Sequence, residues 1–380
     1  MAQNHFDFIF AGGGLASLMT LQRMVQSGSF TGKSILVIEP DSNKGNDRTW
    51  CFWEQGSGEW DGLLKRQWDH ALFADAGFSS RMQLEPYRYK MLRSSGFYSS
   101  IYKLARQNAG ITFTRNTVTA FTDNGSTVTV TTATNTYTCA KFFNSIYNPE
   151  AAKKSKYPLL QQHFIGWFVK TDKPVFDSGC VTFMDFSIPQ RGNTRFMYVL
   201  PLSETEALVE YTLFSKDLLP LAEYEDAIKD YLAERGVSHY TITETERGNI
   251  PMTCYPFWEE NTKNIVNIGS AGGWTKASTG YTFKNTTKKS RELVSFMQKH
   301  DDFRKLGSKN RFWFYDLLLL DVLYKTNEKG STIFSAMFRK VHPQLIFKFL
   351  DEETTFAEEL KVIWACPKMP FIKALLRNLF

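Results

Sequence analysis

Short apolar runs and a glycine-rich turn give the start of the chain a clear pattern. Residues 7–11 form an apolar strand pattern, residues 12–14 are all glycine, and an apolar helical period begins at Leu15. A second apolar strand pattern covers residues 34–38 and ends at the acidic residue Glu39. This order of strand, glycine turn, helix, strand and acid is typical of a unit that binds an adenine dinucleotide.

The glycines of this turn have a specific expected task. Gly12 and Gly14 permit a tight turn, so that backbone N–H groups reach a pyrophosphate where the helix begins and its dipole favours negative charge. Glu39 is then placed to accept hydrogen bonds from the adenosine ribose. Ser17 stands at the third glycine position of the G-x-G-x-x-G pattern and departs from it, although it is small enough for close packing. The predicted cofactor-binding residues in this unit are Gly12, Gly13, Gly14, Leu15, Ala16 and Glu39.

Strand patterns dominate the middle of the chain. Residues 111–146 alternate β-branched or aromatic residues with polar ones, and the break at residues 123–125 predicts a hairpin turn within a meander. Residues 43–62 lack any helical or strand period, which predicts a long loop beside the cofactor, and residues 97–109 predict a short helix. Further on, we predict strands at 164–169, 181–186, 196–200 and 207–214 and a helix at 224–235.

A second glycine turn late in the chain extends the dinucleotide unit. Residues 265–268 form an apolar strand pattern, residues 269–273 form a glycine turn, and a helix is predicted from about 280 to 300. The cofactor domain is therefore expected to be discontinuous. The predicted organisation is a cofactor-binding domain at 1–150 and 256–305, a β-sheet substrate domain at 151–255 and a helical C-terminal region at 306–380 that covers the pocket.

Composition narrows the class of protein. Of 380 residues, 43% are hydrophobic and 15% aromatic, which favours a globular protein with a large apolar pocket or surface, or simply an aromatic-rich core. No run approaches the ~20 apolar residues that span a bilayer, and no signal peptide precedes the first strand, so we predict a cytoplasmic protein. The five cysteines lack a C-x-x-C pair and the six histidines lack metal-ligand spacing, so we expect free thiols and no metal.

The charge balance suggests partners without fixing one. A net charge of +6 and a pI near 8.9 suit nucleic acid, an acidic membrane surface or solubility alone. No nucleic-acid-binding module is recognisable, so we predict no nucleic-acid partner. Residues 370–380 mix apolar side chains with Lys373 and Arg377, which predicts either a basic amphipathic helix at a membrane interface or a terminal helix packed on the body. The oligomeric state is not indicated.

Several motifs occur together along the chain in the order of one known family. They are NDRTWCFW (46–53), QHFIGW (162–167), FMDF (183–186), FMYVLP (196–201), ALVEYT (207–212), IPM (250–252), and GSAGG (269–273) through STGY (278–281). With these motifs the sequence resembles the lycopene cyclases of the flavoprotein type over nearly its whole length. Their joint order is very specific, although each motif alone is not.

The resemblance implies a fold and a reaction. The fold is an α/β two-dinucleotide-binding flavoprotein, with a Rossmann-like FAD domain, a β-sheet substrate domain and a helical C-terminal region. The reaction closes the acyclic ψ end groups of lycopene, or a related acyclic carotenoid, into β-ionone rings, using reduced FAD, with NAD(P)H as reductant, and no net redox change. Such chemistry needs a carboxylic acid kept neutral by burial and surroundings that tolerate a carbocation, such as aromatic faces and an anionic flavin.

Two carboxylates are candidate catalytic residues. Glu210 stands in the middle of the ALVEYT strand motif, where the family has its proposed acid; without the resemblance, a strand glutamate is usually solvent-facing. Asp185, in the FMDF motif, has an aromatic setting, and its ordinary alternative is to cap a turn or to pair with an arginine in the sheet.

Other motif residues are candidate cofactor or pocket contacts. Arg48 could contact cofactor oxygens or form a surface ion pair, whereas Trp50, Phe52 and Trp53 could line a hydrophobic tunnel or pack in the core. In the late turn, Ser270 stands where many related flavoproteins carry Asp, so a ribityl contact there is in doubt. The predicted FAD contacts in that turn are Gly269, Ser270, Gly272 and Gly273.

Two alternatives to a cyclase remain at this point. One is an FAD-dependent monooxygenase or reductase that acts on another isoprenoid, since such enzymes share the N-terminal unit. The other is a non-catalytic carotenoid-binding protein that retains FAD as a structural element. In the cyclase interpretation, a membrane-dissolved substrate predicts docking on an anionic membrane surface, so the protein is expected to associate peripherally with the cytoplasmic membrane.

Overall fold

The computed structural model of the chain describes residues 4–41 and 44–379, which form three β-sheets with helices packed against them. The strands are β1 (His5–Ala11), β2 (Ile35–Ile38), β3 (Thr49–Gln55), β4 (Leu64–Trp68), β5 (His70–Asp75), β6 (Phe78–Gln83), β7 (Tyr87–Arg93), β8 (Ile111–Thr114), β9 (Val118–Asp123), β10 (Val128–Thr132), β11 (Thr136–Asn144), β12 (Leu159–Thr171), β13 (Cys180–Asp185), β14 (Thr194–Pro201), β15 (Glu206–Ser215), β16 (Tyr240–Thr253) and β17 (Ile265–Asn267). The α-helices are α1 (Leu15–Ser27), α2 (Ser94–Arg106), α3 (Glu150–Lys154), α4 (Leu221–Glu234), α5 (Phe283–Met297), α6 (Arg311–Lys325), α7 (Gly330–Lys340), α8 (Pro343–Leu350), α9 (Phe356–Ala365) and α10 (Lys368–Leu379).

The first sheet is the dinucleotide-type sheet. Its strand order is β8-β2-β1-β11-β10-β9, and β17 pairs with β11 outside that path. The pairs β1–β2, β1–β11, β2–β8 and β11–β17 are parallel, and the central strand β2 is apolar and buried along its whole length. One face of β1 packs with α1, α2 and α5 through residues such as Phe10 and Leu18. The predicted hairpin turn lies between β9 and β10, which are antiparallel.

The second sheet carries a large cavity on one face. Its order is β16-β12-β15-β14-β13-β5-β6, antiparallel except for the β13–β5 pair. Side chains of β15 alternate between the two faces: Val209, Tyr211 and Leu213 pack with α4, whereas Leu208 and Phe214 pack on the side of the C-terminal helices. Both faces are covered, so β15 is buried almost throughout.

The region after the first unit is more ordered than the sequence predicts. Residues 43–62 were expected to form a loop, but β3 pairs with β7 along its whole length, and Trp50, Phe52 and Trp53 are buried. The loop prediction is wrong there because these aromatic side chains bury enough apolar surface to fix an extended strand. Asn43, the first residue of the predicted loop, lies outside the described residues.

The sheet pairing also crosses a predicted domain boundary. β5 and β6 fall within residues 1–150, yet they extend the second sheet by pairing with β13. The strands β3, β4 and β7 form a separate three-stranded sheet. The residues between β2 and β8 belong to the predicted cofactor domain, yet they also contribute two strands to the second sheet.

The helices agree with the predictions in place, with shifted ends. The helix predicted at 97–109 is α2, and the helix predicted from about 280 is α5, which begins only at Phe283 because Gly280 has a positive φ of 73°. After residue 311 the chain is helical, as predicted. Among the described residues, none of the helices has both the length and the apolar character needed to cross a membrane.

The last helix has two different faces. Ala374 of α10 is fully buried, and Arg377 pairs with Asp321 of α6, so one face is packed on the body. The other face exposes Ile372 and Leu376, with 47% and 54% of their surface accessible. Within residues 370–379 the helix is therefore packed on the body, as one of the two interpretations predicts, while contact with a membrane stays a prediction. Phe380 lies outside the described part.

Candidate functional site

The first glycine turn is shaped by close backbone contacts. Gly12 has φ = +96°, and a Cβ atom there would lie 2.4 Å from the hydroxyl oxygen of Ser145, so only glycine fits. Its N–H donates to the carbonyl of Ile38, 2.8 Å away. The N–H of Gly13 donates to the Oε2 atom of Glu39, at 2.6 Å. The turn thus brings Glu39 against the backbone that precedes α1.

The N-terminus of α1 is open to a ligand. Gly14 is its N-cap and provides no side-chain cap, so the amides of the first turn, including those of Leu15 and Ala16, lack partners within the helix. A Cβ atom on Gly14 would meet nothing within 4 Å, which leaves space above the helix end. Glu39 also pairs with Lys44 at 2.7 Å. The amides, the helix dipole and this open space suit the phosphates of a dinucleotide.

The late glycine turn meets the first one. Residues Gly269–Gly272 form one 3-10 turn after β17, and a Cβ atom on Gly269 would lie 3.1 Å from the Cβ atom of Ala16 in α1. A Cβ atom on Gly272 would lie 2.2 Å from the carbonyl oxygen of Asn267. Gly273 has φ = +66°, and Ser270 is half-buried beside it. The structure therefore brings the two predicted halves of the cofactor site together.

A large apolar cavity lies between the second sheet and the C-terminal helices. It measures about 570 Å³, within the range of about 300–1,000 Å³ that is usual for small-molecule sites. The loop between the late glycine turn and α5 contributes Ser278 and Tyr281 to its wall. Its aromatic lining residues are Trp50, Phe164, Phe183, Phe196, Tyr198, Phe214, Tyr281, Phe283, Phe314, Tyr315, Phe334, Phe338, Phe349, Trp364 and Phe371.

Glu210 is a buried acid in the wall of this cavity. It lies on β15 between Gly166 of β12 and Tyr198 of β14, with 7% of its surface accessible. The Thr212 hydroxyl donates a hydrogen bond to its Oε1 atom. Burial raises the pKa of the Glu210 carboxyl to about 8; the Thr212 hydrogen bond opposes this shift, and the charge of Glu246 reinforces it. Glu210 is therefore mainly a neutral acid at pH 7.

Glu246 is a second carboxylate in the same wall, and the sequence analysis missed it. It lies on β16 directly opposite Gly166, is 6% accessible, and accepts hydrogen bonds from the N–H (3.0 Å) and the hydroxyl of Thr49. Burial raises the pKa of Glu246, while the Thr49 donors and Arg93 act in the opposite direction. The sequence offers no sign that Glu246 is buried, because β16 is a mostly polar strand that contains Pro251 and has no regular alternation of apolar and polar residues.

A cluster of hydroxyl groups lies next to the two acids. The Tyr89 hydroxyl is 2.7 Å from that of Tyr198 and 2.6 Å from that of Tyr281. Cys51 is close enough for its thiol to interact with both glutamates and with Tyr198. Burial raises the pKa of the Cys51 thiol and of all three phenols, so they stay neutral near pH 7. The sequence analysis did not identify this cluster either.

Asp185 does not face the cavity. It is 1% accessible and accepts hydrogen bonds from the Tyr231 hydroxyl at 3.0 Å and from the Arg235 guanidinium at 2.8 Å, both on or just after α4. A register shift in β13 directly before Asp185 turns its side chain toward that helix. The structure gives both ordinary settings: Asp185 accepts a hydrogen bond from the N–H of Ser187 at 3.0 Å in a turn, and it pairs with an arginine, which follows α4 and is not part of the sheet. We do not retain Asp185 as a candidate acid.

The remaining motif residues have mixed positions. Arg48 is exposed, and its guanidinium donates to the carbonyl of Asp47 at 2.6 Å, so the structure does not place it at the cofactor turns. Trp50 lines the cavity as expected. Phe52 and Trp53 instead pack in the cores, stacked on Phe283 (ring centroids 4.9 Å apart) and Phe347 (4.7 Å) respectively.

Comparison with solved structures shows the fold class. A geranylgeranyl bacteriochlorophyll reductase-like protein from Thermoplasma acidophilum aligns with a TM-score of 0.62, 11% identity and 100% of both chains. A flavoprotein/dehydrogenase from Cytophaga hutchinsonii gives 0.60 at 13% identity over 99% of both chains. A mutant of the halogenase PltM in complex with FAD gives 0.61 at 11% identity, over 98% of this chain and 90% of that one. The predicted α/β flavoprotein fold is therefore confirmed.

Sequence comparison shows the family. A lycopene beta-cyclase from a Paracoccus species is 24% identical over 229 residues, which cover 55% of this chain and 57% of that protein. A lycopene beta-cyclase from Pantoea ananas is 31% identical over 105 residues, 26% of this chain and 27% of that protein. The matches thus span about half and about a quarter of the two relatives. The family model described as "Lycopene cyclase protein" matches residues 7–376, and the chain therefore belongs to the lycopene cyclase family.

Proposed function

We propose that this protein is a lycopene β-cyclase that closes the acyclic ψ end groups of lycopene, or of a related acyclic carotenoid, into β-ionone rings. The observation that carries the proposal is Glu210, a carboxylic acid that burial keeps neutral at pH 7 and that faces an aromatic cavity. Membership of the lycopene cyclase family and the activity named for its relatives support the same substrate class.

Glu210 acts as the proton donor in this proposal. Its proton is transferred to a carbon of the terminal double bond, and the electrons of a nearby double bond form the ring-closing carbon–carbon bond. The resulting cation then loses one proton from the ring, so one proton is gained and one is lost and the substrate mass is unchanged. Aromatic faces such as those of Trp50 and Phe183 attract the cation electrostatically, and the apolar wall excludes water that would trap it.

The residues of the two glycine turns would hold FAD. The open N-terminus of α1 at Gly14 and the contact between Gly269 and Ala16 form a cradle that suits a pyrophosphate, and Glu39 is positioned for a ribose. When bound in its reduced form, FAD supplies negative charge next to the cavity and undergoes no net oxidation. NAD(P)H is the proposed reductant, because the family resemblance implies it.

A membrane surface is the proposed source of the substrate. α9 and α10 expose apolar side chains, and exposed lysines accompany them on the same helices: Lys361, Lys368 and Lys373. Residues from both helices, among them Trp364 and Ile372, also line the cavity, which therefore reaches this surface. The exposed apolar side chains are Phe356, Leu360, Ile363, Trp364, Met369, Ile372, Leu376 and Leu379. Peripheral association with the cytoplasmic membrane follows, because these groups suit an anionic bilayer interface.

Flotation with anionic vesicles tests the membrane surface. The native protein should float with the vesicles, and a variant truncated before Lys368 should float less while keeping its flavin. A second variant that exchanges Lys368 and Lys373 for glutamate should lose binding most strongly at low salt, because surface charge attraction is screened by ions. Absence of lipid binding by the native protein would reject this part of the proposal.

Chromatography of pigments tests the reaction. Bacterial cells that make lycopene and express this chain should accumulate cyclised carotenoid of unchanged mass, and Glu210→Gln should abolish ring formation with flavin still bound. An anaerobic assay with chemically reduced flavin should give the same product. A product of changed mass would instead identify a monooxygenase or reductase, and pigment binding without any product in both proteins would identify a carotenoid-binding protein.

A further inference from the structure

The two cavity acids lie in one row across the second sheet. Glu210 on β15 and Glu246 on β16 are both directly opposite Gly166 on the strand between them, β12. Directly opposed residues project from the same face of an antiparallel sheet, so both carboxyl groups point toward the cavity, whose wall includes both residues. The row contains no side chain between the two acids.

Gly166 cannot be replaced without disturbing this row. A Cβ atom there would lie 2.8 Å from a methyl carbon of Leu208 and 3.4 Å from the Cβ atom of Glu210. The vacant position therefore lets the Glu210 side chain lie over β12, on the side of Glu246. Because the site is buried, a charge on one acid acts on the other with little screening by solvent.

The hydrogen bonds of the two acids differ in number and kind. Glu246 accepts from the N–H of Thr49 on one oxygen and from the Thr49 hydroxyl on the other, and Arg93 donates to that hydroxyl at 3.2 Å. Glu210 accepts only the Thr212 hydroxyl among the hydrogen bonds of the described residues. Donors stabilise the ionised form of a carboxyl group, so the first proton to leave the pair leaves Glu246.

We propose that Glu246 is a positioning residue, held as a carboxylate by Thr49, whose negative charge adds to the effect of burial in keeping the proton on Glu210 until an alkene accepts it. This role rests on the proposed cyclase function of the cavity. In this scheme Glu210 and Glu246 share one proton, because two negative charges at close range prevent both acids from being ionised at once. Glu246 prepares the donor but does not itself contact the substrate in this scheme.

The other titratable groups around Glu210 do not supply this charge. Cys51 on β3, Tyr198 on β14 and Tyr281 before α5 face Glu210, and burial raises the pKa of each, so they are neutral where Glu210 titrates. Arg93 on β7 faces Glu246 and pairs with Glu244, and its charge favours the ionised form of Glu246. Asp316 of α6, elsewhere in the wall, is paired with Lys276 at 2.8 Å.

Glu246→Gln tests the proposal through the pH dependence of Glu210. In the native protein, ring formation should decline as Glu210 loses its proton near pH 8. Without the negative charge of Glu246, the pH at which ring formation declines should fall by about one unit or more, because a like charge at close range shifts a pKa by that order. The matched control is Glu206→Gln, which removes a half-buried carboxylate outside the cavity, at the start of the same strand as Glu210, and should leave that pH unchanged.

Infrared spectroscopy provides a second readout that does not need turnover. The flavin-loaded native protein should show a protonated carboxyl band that disappears near pH 8, is absent in Glu210→Gln, and disappears at lower pH in Glu246→Gln. An unchanged midpoint in Glu246→Gln would overturn the proposal. If the band shifts as expected but the native protein forms no ring, the charge coupling stands and the cyclase assignment fails, so the two failures are distinguishable.

Discussion

Replacing Glu210 by glutamine should remove a pH dependence from the stability of the protein. The folded state holds the Glu210 proton more tightly than the unfolded chain does, since its pKa rises from the ordinary value of 4.5 to about 8. Between these values the unfolded chain has released the proton and the folded protein has not. Stability from this group is therefore fully present below pH 4.5 and is lost as the pH rises toward 8.

The size of the effect follows from the shift. A difference of roughly 3.5 pKa units corresponds to about 5 kcal/mol at about 1.4 kcal/mol per unit, and the 7% accessibility of Glu210 means that solvent screens little of it. Between pH 5.5 and 7.5, the native protein should lose roughly 3 kcal/mol of unfolding free energy relative to Glu210→Gln. The amide keeps the shape and polarity of the side chain but cannot ionise.

Urea denaturation at several pH values between 5.5 and 8.5 measures this difference. The free energy of unfolding of the native protein minus that of Glu210→Gln should fall with pH and level off above about pH 8. Glu206→Gln should follow the native curve, because this carboxylate is only half-buried at the start of β15. Parallel curves for the native protein and Glu210→Gln would refute the claim that Glu210 is protonated in the folded state, and with it the proton donor of the proposed mechanism.

Three further predictions concern other sites. The buried His163 has a pKa lowered to about 4 by burial and by Arg195, so between pH 6.5 and 4 the native protein should lose about 3 kcal/mol of stability that His163→Asn does not lose, as measured by urea denaturation. Lys276→Met leaves Asp316 and Glu352 without their cation and should destabilise the protein by about 3–5 kcal/mol in thermal or chemical unfolding. The double variant that also carries Asp316→Leu should recover part of this loss, and no loss in the single variant would contradict the buried pairing. Gly12→Ala should lose bound flavin, measured by absorbance of the purified protein, because its Cβ atom would collide with Ser145 at a positive φ, whereas Gly96→Ala, with open space at its Cβ position, should retain it.

The dinucleotide-binding unit could be predicted from the sequence because its parts are close together in the chain. The turn at Gly12 and the helix after it lie within a few residues of each other, and their periods are visible in the chain. Glu210 was found only through the family resemblance, because β15 is buried on both faces and alternation cannot show which side holds the cavity.

Other site residues depend on information that no local pattern carries. Glu246 becomes significant through its register opposite Gly166, which is a property of strand pairing. For Asp185 the sequence left a pocket role and a structural role open, because it does not show the register shift in β13 that precedes this residue. β5 and β6 join a sheet whose other strands follow much later in the chain, so their partners could not be predicted from neighbouring residues.

The pairing of β17 with β11 determines when the first sheet can be completed during synthesis of the chain. Asn144 donates a hydrogen bond to Asn267, 123 residues later, and the turn that completes the cofactor cradle follows directly. Closing a loop of that length costs several kcal/mol, on the order of 4, before any contact compensates for it. In a growing chain the strands from β12 to β16 are therefore synthesised while the first sheet still lacks β17, so this sheet is complete only after most of the chain has been made.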